Sequence, residues 1–190
     1  MDIICVTQRS LCKDFLSQLE KIAEAKPKFI ILREKDLNEK EYTSLTLSAL
    51  EICKPYNVPV LCNTFYNAAK KTKAQGIHMP LHLAESCKGK EFQHFGISVH
   101  SLSEALQAQN LGADYITYGH IFATDCKKGL APRGTEELAQ ICRTLTIPVY
   151  AIGGITPRNA GLVIGAGAMG ICLMSSLMKA PNPKQLMKSF

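Results

Sequence analysis

The chain has 190 residues, of which 46% are hydrophobic and 20% charged, and its formal net charge is +6. This length and composition predict one globular domain over residues 1–190 and exclude a disordered chain. No apolar run is long enough to cross a membrane, and the basic residues form no tract typical of nucleic-acid binding. We therefore expect no membrane and no nucleic-acid partner, and a small anionic ligand instead.

The first residues, MDIICVTQRS, lack the basic and long apolar regions of a signal peptide, which predicts a cytoplasmic protein. The chain has eight cysteines, but it is long and apolar enough to form a core without disulfides, so no disulfide framework is expected. No C-x-x-C pair occurs, so no structural zinc site is expected either. Cys5, Cys62 and Cys172 lie in apolar runs, which predicts buried core positions. The sequence leaves the oligomeric state open, and a homo-oligomer is compatible with it.

Short apolar runs alternate with longer helical patterns along the whole chain. The predicted strands are Ile3–Thr7, Phe29–Arg33, Val58–Asn63, Gly76–His78, Gly96–His100, Tyr115–Gly119, Pro148–Gly153 and Met169–Met174. The predicted helices are Cys12–Ala25, Glu39–Lys54, Ala68–Ala74, Ser103–Leu111, Thr135–Leu145, Pro157–Gly165 and Pro183–Phe190. Strands that are apolar throughout are typical of parallel sheets covered on both faces. Eight of them alternating with helices predict a compact (β/α)8 TIM barrel of the α/β class.

An open doubly wound sheet is the structural alternative. It is disfavoured because no G-x-G-x-x-G motif follows the first predicted strand. Helix boundaries are marked in places: Ser101 and Glu104 have the spacing of a capping box, and Thr156-Pro157 predicts a helix start. The predicted helix stops are Gly112, Gly129 and Gly165.

In a parallel barrel, functional residues lie where the strands end and run into the following loops. The predicted strand ends carry a polar, largely basic set of residues. These are Thr7, Arg33, Glu34, Lys35, Asn63, His78, Ser98, His100, Gly119, His120, Gly153, Gly154, Met174, Ser175 and Ser176. Each of them alone could be a simple capping residue, but their common position predicts one site.

The last two predicted strands end in the segments AIGGIT and GAGAMGICLMSS. Glycines let backbone N–H groups approach an anion, and a helix N-terminus favours negative charge. Loops at these positions often bind phosphate in barrels of this kind. We predict a phosphate site formed by Gly153, Gly154, Met174, Ser175 and Ser176. The alternative interpretation of the two glycines is a tight turn.

His120 lies at the end of the sixth predicted strand, where an imidazole can transfer a proton near neutral pH. The alternative is a buried histidine that is hydrogen-bonded to a carbonyl. The segment 124–134 carries Lys127, Lys128 and Arg133 without apolar periodicity. It is interpreted as a loop that closes on an anionic ligand, and a plain solvated loop is the alternative.

No metal site and no cofactor are expected from the residue pattern. His78 and His82 are four residues apart, but Pro80 between them argues against a helix that would place both on one face. The predicted strand ends also offer no spaced group of carboxylates.

Six segments together resemble the thiamin phosphate synthase/TenI family of small (β/α)8 barrels. They are ILREK at 31–35, VPVLCN at 58–63, GIHMP at 76–80, GISVHSLSEALQAQNLGADYITYGHIFATDCKKG at 96–129, IPVYAIGGITPRN at 147–159 and GAGAMGICLMSS at 165–176. The resemblance runs from Ile3 to about Ser176, which is most of the chain.

The synthase branch of this family couples a pyrimidine diphosphate to a thiazole phosphate and needs magnesium. The resemblance implies two aspartates as metal ligands, one after the asparagine of the third strand and one five residues past the histidine of the fourth. In this sequence Thr64 and Leu83 occupy those positions, and neither can replace a carboxylate as a magnesium ligand. Ile31 also stands where synthases have a glutamine.

The segment from Gly119 to Gly134 follows a near-signature of the TenI-type thiazole tautomerases, GH[VI]F.TDCKKGL..RG. This resemblance implies a metal-free isomerase of thiamine biosynthesis that aromatises a carboxylated thiazole phosphate, with His120 as the acid–base residue. The resemblance and the strand-end positions together predict six substrate-binding residues, Arg33, Lys35, Asn63, His78, Ser98 and Lys127. A thiamin phosphate synthase and a non-catalytic regulatory or ligand-binding protein remain the alternatives.

Overall fold

The computed structural model describes residues 1–87, 89–127 and 129–190, with the backbone alone for Cys126. The strands are β1 (Asp2–Val6), β2 (Phe29–Leu32), β3 (Val60–Asn63), β4 (Gly76–Pro80), β5 (His94–Val99), β6 (Tyr115–Gly119), β7 (Val149–Ile152) and β8 (Gly170–Leu173). They form a closed parallel barrel in chain order, with β8 paired to β1. The expected (β/α)8 barrel is confirmed, and the open doubly wound sheet is excluded.

Helices lie between the strands and after the last one. They are α1 (Phe15–Glu24), α2 (Glu39–Cys53), α3 (Tyr66–Thr72), α4 (Leu81–Ala84), α5 (Leu102–Asn110), α6 (Glu136–Thr144), α7 (Ala160–Gly165), α8 (Ser175–Lys179) and α9 (Pro183–Lys188). Within the described residues, none of them has the length and apolar character that a membrane crossing requires.

The core has two layers, because each strand alternates between a side chain inside the barrel and one facing the helices. The interior layer contains Ile4, Phe29, Leu61, Tyr115 and Tyr150, all nearly inaccessible to solvent. The outer layer, between sheet and helices, is larger and includes the buried thiols of Cys5 and Cys62, while Cys172 lies in the interior layer. The predicted burial of these three cysteines is confirmed.

Side-chain caps define several helix starts. Asp14 accepts a hydrogen bond from the Ser17 N–H at the start of α1. At α5 the predicted capping box is confirmed in part. The Ser101 hydroxyl accepts from the Glu104 N–H, but the Glu104 carboxylate accepts from the N–H of His100, one residue before the N-cap. Gly112 has φ +81° just after α5, as expected of a helix stop.

Several helix predictions need correction. Helix α1 begins at Phe15, three residues after the predicted start at Cys12, because Asp14 is its N-cap. Helix α7 begins at Ala160, three residues after the predicted start at Pro157, because Asn159 is its N-cap. The Asn159 side chain accepts a hydrogen bond from the Thr156 N–H at 2.7 Å and so stabilises the preceding turn. Helices α4 and α8 were not predicted, since four or five residues are too few to show a helical period.

Candidate functional site

A cavity of about 1000 Å³ opens at the carboxyl ends of the strands, and every strand or the loop after it contributes to its wall. Of the strand-end residues without a predicted role, His100 and Gly119 line it, whereas Thr7 and Glu34 do not. All twelve residues predicted to be catalytic or to bind substrate or phosphate line it. They are Arg33, Lys35, Asn63, His78, Ser98, His120, Lys127, Gly153, Gly154, Met174, Ser175 and Ser176. The structure therefore brings the predicted residues together, while the role of each remains a prediction.

A cluster of cations lies on one part of the wall. Arg33 and Lys35 follow β2, and Lys127 belongs to the loop after β6. The positive charge of Arg33 lowers the pKa of Lys35, and burial and Lys127 lower it further. None of these three side chains forms an ion pair with a residue that the structure describes. The cluster can therefore attract a polyanion. The neighbouring Lys128 lies outside the described residues.

Arg33, which follows β2, is positioned by a buried network of hydrogen bonds at the end of that strand. The Thr7 hydroxyl donates to Glu34 Oε1 at 2.6 Å and accepts the N–H of Arg33 at 3.0 Å. Glu34 also accepts the N–H of Arg9 at 2.9 Å. Burial raises the pKa of the Glu34 carboxyl, and the bonds from Thr7 and Arg9 oppose that rise. Glu34 thus joins the ends of β1 and β2 and does not line the cavity.

Residues of the loops after β7 and β8 line the cavity. Gly153 and Gly154 follow β7 with φ +104° and +67°, and the N–H of Gly154 bonds to no described residue. Met174 precedes α8, whose first turn at Ser175 and Ser176 has no side-chain cap. The first N–H groups of a helix have no partner within the helix. This geometry suits an oxyanion such as phosphate.

His120 is only 8% exposed, and its Nε2 donates to the carbonyl oxygen of Leu130 at 3.3 Å. Its own carbonyl accepts the N–H of Arg133, and the peptide bond between Gly119 and His120 is cis. The histidine lines the cavity beside the glycine loop but is bonded to a carbonyl, as the alternative interpretation described.

The cavity floor contains a cluster of buried polar side chains on β4, β5 and β6. His78 bonds through Nε2 to the Ser98 hydroxyl at 2.7 Å and through Nδ1 to the Tyr115 hydroxyl at 3.0 Å. Burial lowers the pKa of His78 to about 3, so the ring is neutral at pH 7. Asn63 donates to the carbonyl of His78 at 2.9 Å. Sequence reasoning missed Tyr115 and Thr117, although their alternation along β6 places both inside the barrel.

The magnesium site that the resemblance implies for synthases does not fit the residues of this chain. The backbone of Thr64 has φ +67°, and its hydroxyl donates to the carbonyl of Asn63 at 2.6 Å. Leu83 is 42% exposed on α4 and does not line the cavity. Asp125 is the only carboxylate on the cavity wall among the described residues, which also contain no group of three metal-ligating side chains.

The closed eight-stranded parallel barrel, with its cavity at the carboxyl ends of the strands, places this protein in the class of (β/α)8 barrels. More specifically, the chain belongs to the family described as thiamine monophosphate synthase, whose sequence model matches residues 3–177. The chain is 32% identical to the thiamine-phosphate synthase of Fusobacterium nucleatum, over 98% of this chain and 94% of that one. Identity to the thiamine-phosphate synthase of Methanobrevibacter smithii is 34%, over 93% of this chain and 88% of that one.

The fold is also similar to the thiamine phosphate pyrophosphorylase of Pyrococcus furiosus, with a TM-score of 0.86 and 27% identity over 99% of this chain and 92% of that one. These comparisons correct one expectation. The prediction of a thiazole tautomerase, and with it of an isomerase of the TenI type, is wrong, because the relatives at 32% and 34% identity over nearly the whole chain are named thiamine-phosphate synthase.

Proposed function

We propose that this protein is a thiamine-phosphate synthase, which joins a thiazole phosphate to a pyrimidine that carries a diphosphate. The thiazole nitrogen forms the new bond to the pyrimidine methylene carbon, and the bond from that carbon to the diphosphate oxygen breaks. The products are thiamine phosphate and pyrophosphate. The names of the full-length relatives support this reaction.

The observation that supports the proposal is that two groups of residues on the cavity wall are suited to anions. The glycine loop after β7 and the first turn of α8 suit one phosphate, and the cation cluster of Arg33, Lys35 and Lys127 suits a diphosphate. A volume of about 1000 Å³ is at the upper end of the usual range for ligand pockets, so two small substrates can lie in it side by side.

The protein's own contribution to this reaction is positioning and electrostatics. Holding two substrates in reactive geometry removes much of the entropic barrier of a bimolecular step. Positive side chains at the diphosphate stabilise the charge that develops on the leaving group. Thr64 and Leu83 provide no carboxylate ligand for magnesium.

The test is a coupling assay with the pyrimidine diphosphate and the thiazole phosphate, in which thiamine phosphate and pyrophosphate are both measured, with Mg²⁺ and with a chelator. We expect the two products in equal amounts and above a protein-free control. Lys35→Met should reduce kcat/KM by about 10-fold or more, because it removes one charge from the diphosphate region. The matched control is Lys184→Met, which removes an exposed lysine of α9 that pairs with Glu24 of α1 and does not line the cavity.

Absence of thiamine phosphate in both conditions, with a folded protein, would refute the proposal. Equal losses for Lys35→Met and Lys184→Met would instead refute the assignment of the diphosphate region.

A further inference from the structure

The floor of the cavity contains a chain of hydrogen bonds whose direction can be worked out from its members. Strand register places Gly96 of β5 between His78 of β4 and Tyr115 of β6. A Cβ atom on Gly96 would lie 2.1 Å from Tyr115 Cζ and 2.5 Å from His78 Nδ1. The φ of this glycine is not in the left-handed region, so its role is to leave room for the bond between Tyr115 and His78.

The hydroxyl of Tyr115 must be the donor in that bond. Its ring is buried against Phe29 and Tyr150, with centroid distances of 5.1 and 5.7 Å. Its oxygen bonds to His78 Nδ1 at 3.0 Å and to no other described residue. If Nδ1 carried the proton, the phenol proton would be buried without an acceptor, which is strongly unfavourable. Nδ1 therefore accepts.

The neutral ring of His78 then carries its proton on Nε2, because a neutral imidazole has one donor and one acceptor. Nε2–H lies 2.7 Å from the Ser98 oxygen and 3.4 Å from that of Thr117, so the stronger bond goes to Ser98. The hydroxyl of Thr117 also donates to the Ser98 oxygen, at 3.2 Å.

The Ser98 oxygen thus accepts two hydrogen bonds, which uses both of its lone pairs. Its own proton has no acceptor among the described residues, and Ser98 lines the cavity. The proton is directed away from the two donors and into the cavity. Successive bonds of this kind polarise one another, so the last donor in the chain is strengthened.

We infer that Tyr115 is a positioning residue that fixes the Nε2–H tautomer of His78 and thereby makes Ser98 an obligatory hydrogen-bond donor to the substrate. The floor accordingly selects a ligand with an acceptor atom at this point and rejects one that presents an N–H or O–H group there, since a buried donor would then face a donor. Only the identity of that ligand rests on the proposed synthase function.

The first experiment needs no substrate. Long-range ¹H–¹⁵N spectra of protein labelled at histidine report which nitrogen of His78 carries the proton. We expect the Nε2–H tautomer in the wild type and a loss of that preference in Tyr115→Phe. Tyr150→Phe is the matched control, because its hydroxyl bonds to Asp2 at 3.0 Å at the other end of the barrel. An Nδ1–H tautomer in the wild type, or an unchanged spectrum in Tyr115→Phe, overturns the inference.

The second experiment uses the coupling assay and a double-mutant cycle. Ser98→Ala should lower kcat/KM by about 10- to 100-fold, because it leaves a buried acceptor atom of the substrate without a donor. Tyr115→Phe should lower it by about 3- to 10-fold alone and have no further effect in the Ser98→Ala background, because it acts through that hydroxyl. Additive losses would show a merely structural role for Tyr115 and refute the inference. An inactive wild type would refute the proposed function, while the spectra would still decide the tautomer.

Discussion

The glycine loop after β7 gives a sharp test of the predicted phosphate site. Gly154 has φ +67°, and a Cβ atom on it would lie 2.5 Å from the Ala123 carbonyl oxygen and 2.8 Å from Phe122 Cβ. Gly153 has φ +104°, and its Cβ would lie 2.4 Å from the Cβ of His120. These contacts are with backbone or the base of a side chain, so they cannot be relieved by a rotamer change. Alanine at either position must move one loop relative to the other.

The expected cost of Gly154→Ala follows from two terms. A left-handed backbone costs a residue with a Cβ about 1–2 kcal/mol. Forced overpacking adds about 1–3 kcal/mol. The sum, about 2–5 kcal/mol, is below the stability of a typical domain, which is about 5–15 kcal/mol, so the variant should fold. Gly161→Ala is the matched control, because Gly161 lies in α7 with nothing near its Cβ position and should gain about 0.5–1 kcal/mol.

The assay is urea unfolding with and without inorganic phosphate. At about 100 times the Kd, phosphate should stabilise the wild type by about 2.7 kcal/mol. We expect this increment to persist in Gly161→Ala and to vanish in Gly154→Ala, whose displaced N–H can no longer reach the anion. A Gly154→Ala variant that is as stable as the wild type would contradict the packing argument. One that keeps the full phosphate increment would contradict the site.

Three further predictions concern the rest of the cavity. Thr7→Val removes the hydroxyl that joins Glu34 to the N–H of Arg33. It should lower the free energy of unfolding in urea by about 1–3 kcal/mol and weaken the binding of pyrophosphate, as measured by calorimetry. Unchanged values for both quantities would contradict this. The pKa of His78 is about 3 in the fold and 6.5 without it, so the unfolded chain binds the proton first. The free energy of unfolding should therefore fall as the pH drops below 6.5, by about 1.4 kcal/mol per pH unit from this residue. His78→Gln should remove that part of the pH dependence. An identical pH profile for the variant would refute the burial argument. The ligand-free protein should show no tight Mn²⁺ binding by electron paramagnetic resonance, whereas Thr64→Asp should increase Mn²⁺ binding. Tight Mn²⁺ binding by the wild type would contradict the conclusion that the carboxylate ligands are missing.

Much of the fold follows from the sequence because its signals are local. Runs such as those in β1 and β7 are apolar throughout, and this predicted parallel strands buried on both faces. The predicted position of site residues at strand ends also held, since all parallel strands of a barrel end on the same side. Helix starts were less certain: Pro157 suits a first helical turn, but Asn159 made a local side-chain bond that delays α7 to Ala160.

The hydrogen-bond chain on the cavity floor could not be predicted in the same way. Its members lie on three strands, and only the register between the strands places Gly96 between His78 and Tyr115. A sequence shows that Tyr115 and Thr117 alternate along one strand, but it does not show which residue of the next strand lies beside them. The absence of a side chain at Gly96 has meaning only once that register is known.

The error about the activity has a physical explanation as well. The segment from Gly119 to Gly134 resembles tautomerases, and reasoning from it made His120 the centre of the chemistry. In the fold, that ring is buried and bonded to the Leu130 carbonyl, and the loop lies over the glycines after β7. The motif therefore includes residues that determine how the loop packs, and the role of His120 in the site stays a prediction. The three cations, the residues of the last two βα loops and the Ser98 hydroxyl all line one cavity, although they lie far apart in the sequence. Because that arrangement is a property of the whole barrel, similarity over the whole chain carries more weight for function than similarity over one loop.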